Sequence, residues 1–205
     1  MASTIAAVTT GGGGVITTAD SSGNLSLLSG ATTVVAVTSA GVAVTGTLSA
    51  SGAFTPNQTT GITGTTTNND ASTGYVGEYI SSTVGNTTVT LTTGVTTNLT
   101  SISLTAGDWD VQGNVGFDTA TTANLTYWYS GVTTNSATLQ NGYYQATNMA
   151  APTGGTVFGA NAFSLVSPVA RITLTGTTTV YLITNVGFTI AAVKAGGMIK
   201  ARRVR

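Results

Sequence analysis

The chain of 205 residues has no cysteine and no histidine, only three prolines, and just 6% charged residues, against about 25% in an ordinary soluble domain. Each shortage removes a class of chemistry. Without cysteine there is no disulfide scaffold, thiolate nucleophile, zinc knuckle or iron–sulfur cluster. Without histidine there is no Ser-His-Asp triad, imidazole base or imidazole metal site. Six basic residues are too few for the cationic footprint that duplex nucleic acid requires, so no nucleic-acid partner is expected. No run approaches the ~18–20 apolar residues of a membrane helix, and no membrane partner is expected. Met1-Ala2-Ser3-Thr4-Ile5 lacks the basic region and long apolar core of a signal peptide.

What the chain has instead is threonine, serine and glycine: 45 Thr, 17 Ser and 27 Gly, close to half of all residues. The low charge is not a mark of disorder, because disordered chains combine low hydrophobicity with high net charge. Here the apolar fraction is 41%, mean hydropathy is +0.30 and net charge is zero. Thr and Val dominate, and both are stiff at χ1 and suited to a pleated sheet. Good helix formers are scarce, with one Glu, two Lys and four Arg. The composition predicts an all-β protein. So little surface charge leaves a β-rich monomer open to edge pairing, so much of the surface is expected to be shared with other subunits.

Along the chain, the four glycines Gly11-Gly12-Gly13-Gly14 lack the Lys that a phosphate cradle needs, since no Lys precedes Lys194; they read as a hinge or linker. Residues 15–55 carry short apolar runs around polar turns: residues 15–18, 25–27, 34–37 and 42–44, with Gly23 and Gly41 in the turns. This is a loose repeat of about twenty residues, a unit that cannot bury its apolar face alone. The sequence predicts an N-terminal anchor and shaft-like β segment over 1–55 and a linker or long loop over 56–73, where apolar residues nearly vanish. A C-terminal antiparallel β-sandwich is predicted over 74–205, expected to fold by itself. In the last, Trp109, Val111, Gly113, Val115 and Phe117 alternate with Asp108, Asp110, Gln112, Asn114, Gly116 and Asp118, the pattern of a half-buried strand. Further strands are predicted at 75–81, 87–91, 99–104, 125–130, 158–165, 171–175, 179–184 and 198–204. About nine strands in this length suit two packed sheets, a jelly roll.

Few residues offer chemistry. Asp108 and Asp110 share a strand face about 6.5–7 Å apart; such a pair can serve glycoside hydrolysis or, with Asp118, bind calcium weakly, but no motif supports either. A solvated strand face is the simpler reading. No catalytic residue, metal site or cofactor is expected, and the chain reads as a non-enzyme. Tyr127, Trp128 and Tyr129 occupy both faces of one strand, and Tyr143 and Tyr144 follow a polar loop; these five are candidates for glycan or subunit contact. All six acids lie at or before Asp118 and all six bases at or after Arg171. The basic cluster alternates with apolar residues and so reads as a strand. Salt bridges from these bases to acids of the same or a neighbouring subunit are expected, with Asp108, Asp110, Arg202, Arg203 and Arg205 the candidates for ionic contacts between subunits.

Residues 13–54, GGVITTADSSGNLSLLSGATTVVAVTSAGVAVTGTLSASGAF, resemble the Gly/Ser/Thr/Val-rich shaft and anchor segments of tailed-bacteriophage fibre proteins. Residues 173–205, TLTGTTTVYLITNVGFTIAAVKAGGMIKARRVR, resemble the closing strands of β-sandwich heads in phage structural proteins. The resemblance implies a homotrimer whose N-terminal part docks on other virion proteins of capsid or tail and whose head faces outward. That is the plan of a head fibre, a capsid decoration protein or a short tail appendage, assembled in the host cytoplasm and able to adhere to a host surface glycan. A bacterial cell-surface adhesin or surface-layer module is the alternative, and a glycan-cleaving enzyme using Asp108 or Asp110 is the third.

Overall fold

A computed structural model describes residues 24–29, 31–53, 55, 64, 66–67, 69–119, 123–139, 145–148, 156–158, 162–189 and 192–205. Every regular element among them is a β-strand, as the Thr- and Val-rich composition requires. The chain divides into two units, Met1–Gly64 and Thr65–Arg205.

In the first unit, β1 (Leu25–Ser29), β2 (Thr32–Thr38) and β3 (Gly41–Val44) form an antiparallel meander. The β2–β3 turn closes at Ser39-Ala40, with the Ala40 N–H donating to Thr38 Oγ1 and Gly41 taking φ +130°, a region that side chains disfavour. Leu25 lies opposite Val37 and Val37 opposite Val42; two residues along, Leu27 lies opposite Val35 and Val35 opposite Val44. Because side chains alternate along strands, these six apolar residues share one face. Ser26, Ala36 and Ala43 lie on the other. The predicted strand at 15–18 and most of the predicted linker (56–63, 65 and 68) lie outside the described residues.

The second unit comprises β4 (Tyr79–Thr90), β5 (Thr97–Leu104), β6 (Gly107–Thr119), β7 (Ala123–Thr133), β8 (Gln145–Asn148), β9 (Thr156–Phe158), β10 (Ala162–Val166), β11 (Ala170–Leu174), β12 (Thr178–Thr189) and β13 (Val193–Arg203). One sheet has the order β10-β6-β13-β4, with β11 also on β6; the other has the order β5-β12-β7-β8, with β9 also on β7. β10 pairs with residues 114–118 of β6 and β11 with residues 107–111, so these two form one interrupted edge. β8 and β9 do the same along β7. Counting each interrupted edge once leaves eight strands among the described residues, ordered 1-8-3-6 in one sheet and 2-7-4-5 in the other. That is two interlocked Greek keys, the jelly roll.

The core lies between the sheets. Trp109, Val111, Val115 and Phe117 point inward from β6, as their alternation predicts. Ile199 and Ala201 of β13 join them, and Ile102, Leu104, Leu125, Val132, Val180, Leu182 and Val186 face them from the second sheet. Phe117 stacks on its cross-strand partner Phe163 at 4.9 Å between ring centroids, and Trp128 meets Phe163 edge-on at 5.8 Å, geometries favoured by the ring quadrupoles.

Two strand predictions needed correction. The segments 75–81 and 87–91 are largely one strand, β4. Pairing with β13 passes from Val84–Gly197 to Val89–Ala195, so residues 85–88 stand opposite Gly196 alone in a bulge. The apolar pattern breaks at the bulge although the strand continues. Conversely, 158–165 is not one strand: β9 pairs with β7 and β10 with β6, in different sheets.

Candidate functional site

Charge sorting along the chain is resolved by topology. β13 lies between β4 and β6, which brings the late bases against the early acids. Arg203, 5% exposed, donates from Nε to Glu78 Oε2 at 2.9 Å; Glu78 is 4% exposed. The same guanidinium donates to the Ala106 carbonyl at 2.7 Å and to Thr105 Oγ1 at 2.5 Å, and its carbon lies 4.3 Å from the centroid of the Trp109 ring. A buried charge is tolerated only when paired and hydrogen-bonded, and Arg203 is both. Backbone bonds close the clasp: Gly77 N–H to Arg203 O, Arg203 N–H to Glu78 O, Asp108 N–H to Arg205 O and Val204 N–H to Asp108 O.

Asp108 forms the second ionic group. Its Oδ2 receives Arg171 at 2.8 Å and Arg205 at 2.9 Å. These two arginines are largely exposed while the carboxylate is buried. Of the ionic candidates Asp108, Asp110, Arg202, Arg203 and Arg205, three make ion pairs inside the chain. Asp108, Arg203 and Arg205 are engaged within their own chain, because insertion of β13 between β4 and β6 sets the C-terminal arginines against Glu78 and Asp108. Glu78, which completes the buried pair, was missed: one acid among polar loop residues carries no local signal of its partner 125 positions away.

Burial pushes the Glu78 carboxyl up, but the Gly74 N–H and the hydrogen bond and charge of Arg203 outweigh it and hold it below its ordinary value of 4.5. The Thr173 hydroxyl and the Arg171 guanidinium likewise hold Asp108 below 3.8, against the opposing effect of burial. A carboxylate depressed in the folded state contributes stability that is complete above its unfolded pKa and is lost as pH falls through the folded value. Histidine, the usual source of charge change near neutrality, is absent. Melting temperature is therefore expected to be nearly level between about pH 6 and 8 and to fall below about pH 4; a steep change across the neutral range would contradict this account.

The aromatic candidates separate. Trp128 turns inward and is 6% exposed, which removes it from any contact surface. Tyr127 and Tyr129, two residues apart on β7, share the outer face with ring centroids 5.4 Å apart. Both are half-buried. Tyr143 and Tyr144 lie outside the described residues.

Asp110 and Arg202 are cross-strand neighbours, as are Gln112 and Lys200, and Tyr79 stands opposite Arg202 from β4. With Val169, from the segment between β10 and β11, they line a cleft of about 310 Å³ on the outer face of the first sheet. No group of three or more acidic residues among the described residues is arranged to hold a metal ion. Asp108 is held by two guanidiniums and a hydroxyl, which tie β6 to β11 and to the C-terminal residues.

The first unit presents a surface of another kind. None of the side chains of β1, β2 and β3 is buried. On the apolar face, Leu25, Leu27, Val37, Val42 and Val44 are 37–66% exposed, and no charged residue occurs from residue 21 to 69. Among the described residues this apolar face is open, which makes it a candidate interaction surface. No protein-family model matches the chain, and no curated protein matches it in sequence.

Proposed function

We propose that the chain is a structural, non-enzymatic subunit of a tailed-bacteriophage virion. It acts as a homotrimer whose residues 1–55 associate and dock on other virion proteins while residues 74–205 are displayed as a jelly-roll head. Head fibre, capsid decoration protein and short tail appendage all fit this plan, with assembly in the host cytoplasm. The observation that carries the reading is the exposed apolar face of the β1–β3 meander. A small sheet gains stability from its apolar face when that face is taken out of water, and covering each Val or Leu side chain yields roughly 1.5–3 kcal/mol. The face carries no charge that would discourage copies of itself. Three such faces around a threefold axis enclose one core. The resemblance of residues 13–54 to phage shaft segments supports three copies rather than two.

Light scattering of the full chain is expected to give three times the chain mass of 20.3 kDa. Leu27→Asp with Val42→Asp, which places charge on the apolar face, is expected to give the single-chain mass with the β-sheet circular dichroism of the second unit kept. A wild-type chain that stays monomeric at micromolar concentration would reject the proposal. Imaging of assembled particles with an antibody to the head would then locate the subunit on capsid or tail.

A further inference from the structure

The jelly roll carries a cleft that the assembly reading does not use. Its residues come from three adjacent strands and one loop: Tyr79 on β4, Lys200 and Arg202 on β13, Asp110 and Gln112 on β6, and Val169. Arg202 lies directly opposite both Tyr79 and Asp110, and Lys200 directly opposite Gln112. These side chains therefore stand in two neighbouring rows on one face. The volume of about 310 Å³ is at the lower end of small-ligand sites.

The charges are what make the cleft selective. Arg171 and Arg205 both engage Asp108, and Arg203 is committed to Glu78. None of the ion pairs among the described residues uses Asp110, Lys200 or Arg202. Two cations and one carboxylate thus remain available in the cleft, a net charge of +1. Tyr79, 39% exposed, and Val169, 56% exposed, supply apolar surface beside them. The ligand that satisfies this set has one anionic group for Lys200 and Arg202. It also has hydroxyls that can donate to Asp110 and exchange hydrogen bonds with Gln112, and a face of C–H groups to lie on the Tyr79 ring.

We infer that this cleft binds a single acidic sugar residue, a uronic or related carboxylate-bearing unit of a surface polysaccharide. Lys200 and Arg202 hold the carboxylate, Asp110 and Gln112 read the hydroxyls, and Tyr79 stacks on the ring. The inference does not rest on the trimer, because every group it uses belongs to the second unit of one copy. Repetition of the cleft on several linked copies would raise avidity without new contacts.

The test is ligand-observed saturation-transfer titration of the full chain with D-glucuronate, D-glucose and inorganic phosphate. It reads a single site whatever the oligomeric mass, so its failure is distinct from failure of the trimer proposal. Glucuronate is expected to bind with a dissociation constant on the order of 1 mM, the strength available to about a dozen heavy atoms, and at least about tenfold more tightly than glucose. Arg202→Ala and Tyr79→Ala are each expected to weaken it by about tenfold or more, with the melting temperature of each variant confirming the fold. Lys200→Glu should abolish the preference for glucuronate over glucose. Equal binding of glucose would remove the anion-specific role, equal binding of phosphate would reduce the cleft to a simple anion site, and absence of glucuronate binding, or binding unchanged in the variants, would overturn the inference outright.

Discussion

Arg203→Met is expected to destabilise the second unit by on the order of 3–5 kcal/mol, read as a lowered urea midpoint for the full chain. The size follows from what is left behind. Met can fill much of the aliphatic volume, but Glu78, 4% exposed, would keep its charge with only the Gly74 N–H at 2.8 Å to stabilise it. The Ala106 carbonyl and Thr105 hydroxyl would lose the donors that reach them at 2.7 and 2.5 Å, and Trp109 would lose the cation over its ring. Leaving a buried charge unpaired costs more than the intact pair contributes, so the second substitution should act in the opposite direction. Arg203→Met with Glu78→Leu is expected to recover a large part of the loss. Arg203→Lys should fall between, since an ammonium cannot reproduce the flat, many-donor guanidinium. A single Arg203→Met variant within about 1 kcal/mol of the parent would show that the pair is not what holds the C-terminal strand.

Gly196→Ala is expected to cost about 3 kcal/mol, the upper part of the usual range for overpacking, although it adds only one methyl group. At the β4–β13 bulge a Cβ on residue 196 would overlap the Gly85 carbonyl, with the Val84 carbonyl oxygen 2.6 Å away. These are backbone atoms, which cannot rotate aside as a side-chain tip would. The two strands would have to separate where residues 85–88 face Gly196. Gly176→Ala provides the comparison: nothing lies within 4 Å of its Cβ position, so the change should stay within about 0.5 kcal/mol. Equal stabilities for the two variants, measured by thermal or urea unfolding, would show that the bulge tolerates separation of the strands.

The strands themselves were legible. The alternation from Asp108 to Asp118 marked β6 to within a residue at each end, because the period of two is a local property that each side chain carries with it. Where the pattern failed, a tertiary feature intervened. The bulge opposite Gly196 broke one strand into two apparent ones, and β9 and β10, whose residues read as one β-prone stretch, pair in different sheets. The candidate aromatics showed the same division. Alternation alone put Trp128 on the opposite face from Tyr127 and Tyr129, but only the packing of Phe163 and Phe117 settled that its side was the inner one.

By itself, the sequence determined that the chain is built of β-strands, which residues of each strand share a face, and that chemistry dependent on histidine or cysteine is excluded. All of these follow from composition and short-range periodicity. The tertiary structure alone decided which strands are neighbours, and with that the fate of the charges. Acids confined to the first part of the chain and bases to the last meet because β13 is inserted between β4 and β6 and β11 pairs with the other edge of β6. That insertion buries Arg203 against Glu78 and brings Arg205 to Asp108, pairing of β11 with the other edge of β6 brings Arg171 to the same carboxylate, and Asp110, Lys200 and Arg202 are left facing an open cleft. Pairing across 63 to 125 residues is set by the global path of the chain, which no local pattern of side chains encodes.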